Sequence, residues 1–197
     1  MESHPHLGAI RILASLDSLW RHPLQFPHDI LTPRLRLAAI TPPLVRAQNS
    51  ALSQQLSAEV PDLWPHEHWE PHVLDFLDAQ YLRAPHTTAW NRYILTRFPP
   101  FTLIGNVNGF PKTETEAEIG YVILEPWQRH GFATEALRAL IDEILRTPLL
   151  ACISAQTFPH LKASVRVLEK CGFQLVGSGD EEGTVRYRLA RPQPHPQ

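Results

Sequence analysis

Two spacings of apolar residues run along this chain of 197 residues, and they predict an alternation of strands and helices. Ile10, Leu13, Leu16 and Leu19 recur about every third position, which predicts a short amphipathic helix within Leu7–Trp20. Leu35 and Leu37 alternate with Arg34 and Arg36, the period of a strand. Thr41-Pro42-Pro43 reads as a helix start, with Thr41 as cap and proline in the first turn, running to about Leu56. The stretch from Trp64 to Pro71 is a break, and a second helix begins at Pro71 with Val73, Leu74, Leu77 and Tyr81 on one face. Residues 88–96 and 101–107 read as strands on either side of Pro99-Pro100, and Asn106 to Thr115 as a turn rich in Gly, Asn and Pro. Residues 117–124 form an apolar strand. A helix follows with Phe132, Leu137, Leu140, Ile141, Ile144 and Leu145 as its core stripe, stopped by Pro148. Residues 149–156 read as a buried strand, 162–171 as a helix ending at Gly172, and 173–177 and 184–190 as strands around the loop Gly177–Gly183. Interleaved strands and helices with some hairpins predict an α/β (α+β) fold, a mixed sheet with helices on both faces.

The length suits one domain, taken as residues 31–190, with an N-terminal extension at 1–30 and a Pro-rich, flexible tail at 191–197. The formal net charge of −2 gives no broad basic surface, so nucleic acid is not an expected partner. No apolar run reaches the roughly 20 residues of a membrane helix, so no membrane partner is expected. His4, Pro5, His6 and Arg11 interrupt any signal-peptide pattern, and a cytoplasmic location is expected. Cys152 and Cys171 lie in apolar segments and read as buried thiols rather than as a disulfide framework.

The most informative chemistry lies where strand 117–124 runs into the helix that begins near Phe132. The turn between them holds Gln128, Gly131 and Ala133. A helix start leaves N–H groups unpaired and carries partial positive charge, and small residues let a ligand come close. The turn is therefore a candidate phosphate site, although glycine there can also serve only helix–strand packing. His66, His68 and His72 suggest a metal, but Pro71 starts a helix, so His68 and His72 share no helical face, and no metal is expected. No Gly-x-Gly-x-x-Gly follows a strand, which argues against a dinucleotide oxidoreductase, and no Gly-Lys-Ser/Thr marks a P-loop.

The spacing Gln128-x-x-Gly131-x-Ala133 resembles the acyl-CoA signature of the GNAT N-acetyltransferase superfamily. Thr157-Phe-Pro-His-Leu-Lys-Ala-Ser-Val-Arg-Val-Leu-Glu-Lys-Cys-Gly-Phe173 is similar to that superfamily's later helix beside the thioester. Thr32-Pro-Arg-Leu-Arg-Leu37 resembles the first strand of the branch that acetylates ribosomal-protein N-termini. The likeness covers roughly residues 31–190. It implies a mostly antiparallel central sheet of about six to seven strands, with acetyl-CoA as co-substrate. The acceptor would be a primary amine, on a protein N-terminus or a small molecule, attacking directly in a ternary complex; the protein would be a monomer or homodimer.

The resemblance places the pantetheine arm along Val122, Ile123 and Leu124. It places the diphosphate on the turn residues Gln128, Arg129, His130, Gly131, Phe132, Ala133 and Thr134. Glu118, which shares a strand face with Gly120 and Val122, is the candidate base, with Glu116 as alternative and an ordinary solvated carboxylate as the plain reading. Ser164 is the candidate proton donor to the leaving thiolate, with local helix bonding as its plain reading and Tyr187 as alternative. Trp64, Trp69 and Trp90 are candidates to line the acceptor pocket, or are simply core. Two positions depart from the superfamily: Leu161 stands where Asn is usual, and His130 where Lys, Arg or Gly is common. Leu161 keeps open a second reading, a non-catalytic acyl-CoA-binding module.

Overall fold

The structure is a computed structural model that describes residues 28–192. The helix expected within Leu7–Trp20 and the end of the tail at 193–197 lie outside the described residues. Strands are β1 (Ile30–Leu31), β2 (Leu35–Ala39), β3 (Arg92–Thr96), β4 (Leu103–Pro111), β5 (Glu116–Ile123), β6 (Cys152–Thr157), β7 (Gln174–Ser178) and β8 (Val185–Ala190). Helices are α1 (Pro42–Val45), α2 (Asn49–Leu56), α3 (Pro71–Arg83), α4 (Phe132–Ile144) and α5 (Lys162–Lys170). The strands form one sheet in the order β1-β2-β3-β4-β5-β6-β8-β7, antiparallel throughout except for the parallel pair β5–β6. The mixed, mostly antiparallel sheet is as expected, but it has eight strands rather than six or seven. The two-residue β1, which pairs Ile30 with Leu37, is too short to leave a periodic trace in sequence.

Each face of the sheet carries its own core. On one, Leu35, Leu37, Ile94, Ile104, Val107, Ile119 and Ile153 pack under Leu137, Leu140 and Ile144 of α4 and Leu168 of α5. Each such side chain, fully buried, contributes about 2 kcal/mol of hydrophobic stabilisation. On the other, Ala38, Ile40, Tyr93, Leu95 and Leu103 pack under Leu44 and Val45 of α1, Leu52 and Leu56 of α2, and Leu77 and Tyr81 of α3. Helices therefore cover both faces.

Several boundaries differ from the sequence reading. The helix expected from Pro42 to Leu56 is two helices, broken at residues 46–48, and Thr41 makes no side-chain cap bond. Residues 85–90 form a 3-10 turn rather than a strand, and Asn91 ties its side chain back to the Thr87 carbonyl at 3.1 Å. The segment Asn106–Pro111, read as a turn, continues β4. Its polar positions belong to a chain of amides: Asn108 Nδ2 donates to Asn91 Oδ1 at 2.9 Å, and Asn106 Nδ2 donates to Asn108 Oδ1. Arg191, assigned to the tail, is held: its N–H donates to Ala151 O at 2.8 Å and its Nε to Leu150 O at 2.6 Å.

A bulge in β4 sets the faces near the site. Ile94 pairs with Gly105 while Leu95 pairs with Leu103. Gly105 has φ +156, and a Cβ there would meet Val122 O at 2.0 Å, so only glycine fits. Beyond the bulge, Val107 faces α4 while Asn106 and Asn108 face the α1–α3 side.

Candidate active site

Strands β5 and β6 pair only over Glu116–Glu118 and Cys152–Ser154. β5 then continues to Ile123 and β6 to Thr157 without pairing, so the two strands part and leave main-chain groups facing a gap. Their identity follows from hydrogen-bond alternation. Leu124 N–H donates to Ile104 O at 2.8 Å, on the β4 side. Leu124 and Val122 therefore direct their N–H groups at β4; Ile119 directs its own at Ser154, the last residue of β6 paired with β5, and Tyr121 and Ile123 direct theirs at the gap. Of Val122, Ile123 and Leu124, expected along the pantetheine arm, Ile123 directs its N–H at the gap, as does Tyr121, while Val122 and Leu124 direct theirs at β4.

The gap ends at the Gln128–Gly131 turn. Gln128 Nε2 donates to Ile123 O at 2.9 Å, tying the turn to the end of β5. Arg129 has φ +65 and Gly131 has φ +81, and such reversals of backbone hand turn successive N–H groups to a common side. Glu135 N–H makes the first bond of α4, to Gly131 O at 3.1 Å, so the N–H groups of Phe132, Ala133 and Thr134 precede any helical acceptor. Gln128, Arg129, His130 and Gly131 are exposed, and the His130 ring stacks on Phe132 with centroids 5.9 Å apart. These residues fit an anionic ligand of diphosphate size: orphan donors at a helix start beside a glycine without a Cβ.

Arg34 backs the turn. Its Nη1 donates to His130 O at 2.9 Å, its Nε to Glu135 Oε2 at 2.7 Å and its main-chain N–H to Glu135 Oε1 at 2.9 Å. Thr32 Oγ1 also donates to Glu135 Oε1, at 2.6 Å. Burial alone would raise the Glu135 carboxyl's pKa; the bonds from Thr32 and Arg34, with the Arg34 charge, outweigh it and hold the group below its ordinary value.

The two catalytic candidates have different surroundings. Ser164 lies on α5, where the Tyr121 hydroxyl is 3.1 Å from Ser164 Oγ and donates toward Ser164 O at the same distance. Burial pushes the Tyr121 hydroxyl up to about 12, with the bond from Ser164 acting the other way, so the phenol keeps its proton at neutral pH. Tyr121 was missed in sequence; strand alternation put it on the α5 side, but its partner is 43 residues away. Tyr187 is buried in the core under α4 and α5. Glu118 is fully engaged: Gln156 Nε2 donates to Oε1 at 3.0 Å, and Lys112 Nζ, which also pairs with Asp180 at 2.6 Å, holds Oε2. Glu116 faces Arg188, 3.2 Å from Oε2.

On the α1–α3 side, His66 Nε2 lies 2.7 Å from Asn106 Oδ1, and His66 Nδ1 accepts from His68 N–H at 3.2 Å. An accepting Nδ1 fixes the proton on Nε2, and burial lowers the His66 pKa against the opposing bond to Asn106. Trp64 and Trp69 pack beside this ring, whereas Trp90 belongs to the core of the opposite face. Among the described residues no group of three or more His, Cys, Asp or Glu can hold a metal. No helix among them is long and apolar enough to cross a membrane.

Leu161 precedes α5 at the capping position, is half exposed, and gives no side-chain cap bond. Leu161→Asn should therefore supply an acceptor for the first-turn amides and stabilise the fold by about 1 kcal/mol. A urea midpoint no higher than wild type would show that the loop cannot present the new side chain.

Residues 41–174 match the family model described as Acetyltransferase (GNAT) domain, and the chain belongs to that family. It is an N-acetyltransferase by family, hence an acyltransferase. It is 26% identical over 149 residues to an uncharacterized N-acetyltransferase, YjdG, of Bacillus subtilis (strain 168), covering 73% of this chain and 88% of that one. Among solved structures it resembles RimL, a ribosomal L7/L12 alpha-N-protein acetyltransferase in complex with coenzyme A. The TM-score is 0.57 at 20% identity, over 82% of this chain and 96% of that one. It also resembles the microcin C7 self-immunity acetyltransferase MccE in complex with acetyl-CoA and AMP, with a TM-score of 0.54 at 16% identity, over 81% and 94% of the two chains. At these identities the two structures speak to the fold.

Proposed function

We propose that this protein transfers an acetyl group from acetyl-CoA to a primary amine by direct attack in a ternary complex. The parting of β5 and β6 above the Gly131 turn carries the reading: it joins diphosphate donors to a strand edge along which a pantetheine arm can pair. The coenzyme A and acetyl-CoA named with RimL and MccE support the choice of donor, and RimL's acceptor supports a protein N-terminus among the candidates.

In this reading the turn N–H groups bind the diphosphate, and the Tyr121 and Ile123 peptides hold the arm. One of those N–H groups faces the oxyanion as the amine attacks the thioester carbon. The amine's proton passes to Glu118, where the incoming ammonium takes the place of Lys112 at Oε2, or to water held there. As the carbon–sulfur bond breaks, Ser164 gives its proton to the thiolate, Tyr121 restores it across the 3.1 Å between the two hydroxyls, and the phenolate takes its proton back from water as the products leave.

The test is thiol release from acetyl-CoA against pooled small amines and N-terminal peptides. Acceptor-dependent release with at least one pool is expected. Acetyl-CoA binding without release across both pools would overturn the catalytic reading and leave a binding module.

A further inference from the structure

We propose that Arg34 and Glu135 form a positioning clamp that holds the anion-binding turn in its ligand-ready shape, so that coenzyme A affinity is set in part from the far edge of the sheet. The inference rests on the acetyl-CoA reading above and adds to it two residues that act by bracing the turn.

The turn has a reason to need a brace. Arg129 occupies the left-handed region at φ +65 without being glycine, a conformation that costs about 1 kcal/mol or more. Gly131, two residues on, is left-handed as well. Glycine also leaves the loop entropy to be lost at binding unless something else removes it first. The His130 side chain, exposed and stacked on Phe132, supplies no hydrogen bond to fix the turn from within among the described residues.

Arg34 supplies that brace from the start of β2. Its guanidinium bonds the His130 carbonyl, between the two left-handed residues, and lies over the Phe132 ring with Cζ 4.7 Å from the centroid. A Cβ on Gly131 would sit 3.4 Å from Arg34 Nη2, so the guanidinium meets the turn at His130, Gly131 and Phe132. The guanidinium is in turn aimed by Glu135, whose two oxygens receive the Arg34 main chain, the Arg34 side chain and the Thr32 hydroxyl. Glu135 lies in the first turn of α4 with only 15% of its side chain exposed, which makes it a fixed anchor; Arg34 is 47% exposed. A planar guanidinium that donates through Nε to Glu135 and through Nη1 to the His130 carbonyl fixes the geometry between them in a way that a lysine ammonium does not. The clamp joins residues about 100 positions apart and lets the turn meet its ligand already ordered.

Calorimetry with coenzyme A, and steady-state kinetics with acetyl-CoA and the best acceptor, test this on wild type, Arg34→Ala, Arg34→Lys and Glu135→Gln. Arg34→Ala is expected to raise the Kd for coenzyme A and the KM for acetyl-CoA about tenfold while kcat stays within twofold. Arg34→Lys should recover less than half of the loss on a logarithmic scale, and Glu135→Gln should lose affinity in the same direction with a smaller melting shift. A merely structural role would instead lower the active fraction, and so kcat, at unchanged KM. Affinities within twofold of wild type in both Arg34→Ala and Glu135→Gln would overturn the clamp while leaving the acetyl-CoA reading intact. Absence of coenzyme A binding in wild type would remove that reading, and the clamp with it.

Discussion

Replacing Gly131 by glutamate is expected to weaken coenzyme A binding at least a hundredfold, about 2.7 kcal/mol, while the chain stays folded. Two effects act together. Gly131 has φ +81, and an L side chain there costs about 1 kcal/mol in a conformation that the turn cannot relax without losing its shape. The new carboxylate would also bring a negative charge beside the helix-start amides, competing with the diphosphate for them and with Glu135 for Arg34, whose Nη2 is 3.4 Å from the new Cβ. The backbone penalty alone predicts a small drop in melting temperature; the charge predicts the loss of binding. Calorimetry on a variant whose melt remains cooperative separates the two. Equal affinities in variant and wild type would show that the turn does not hold the diphosphate.

Tyr121→Phe should lower kcat about a hundredfold and leave the KM for acetyl-CoA within about twofold, because proton donation acts as the thiolate departs and not when the thioester binds. The structural cost is modest: one hydrogen bond to Ser164, worth about 1 kcal/mol, with the ring still packed. Ser164→Ala should also lower turnover more than affinity. If the two hydroxyls work as one relay, the double variant should be little slower than the slower single variant. A turnover number for Tyr121→Phe within twofold of wild type would exclude the phenol from the mechanism.

What could be read from sequence was what local periodicity dictates. The stripe of α4, the β5 run and the turn between them stood out because apolar spacing and a helix-start glycine are adjacent in the chain. Ser164 and Glu118 were reached through resemblance, and the structure sets them in different company: Ser164 beside a protonated phenol, Glu118 between Lys112 and Gln156. Tyr121 and Arg34 could not be picked out, since each takes its meaning from a partner 43 or 101 residues away. The direction of each peptide along β5 also escaped the sequence, because hydrogen-bond polarity depends on which residue faces Ile104 after the Gly105 bulge. Asn106 and Asn108 looked like turn residues until the sheet gave their amides partners in Asn91 and His66. Helix breaks such as that between α1 and α2 have the same origin: the chain stops the helix where tertiary packing, not propensity, requires it.

The two hydrophobic cores lie on opposite faces of the sheet, and Trp127, just before the Gly131 turn, packs against both. Exchanges among the buried Leu44, Leu52 and Leu77 would therefore be felt through Leu124 and Trp127 at the end of β5, next to the Gly131 turn. In the proposed reaction, a library confined to that helical layer should alter coenzyme A affinity along with the choice of amine, because one indole ring spans the two halves of the core.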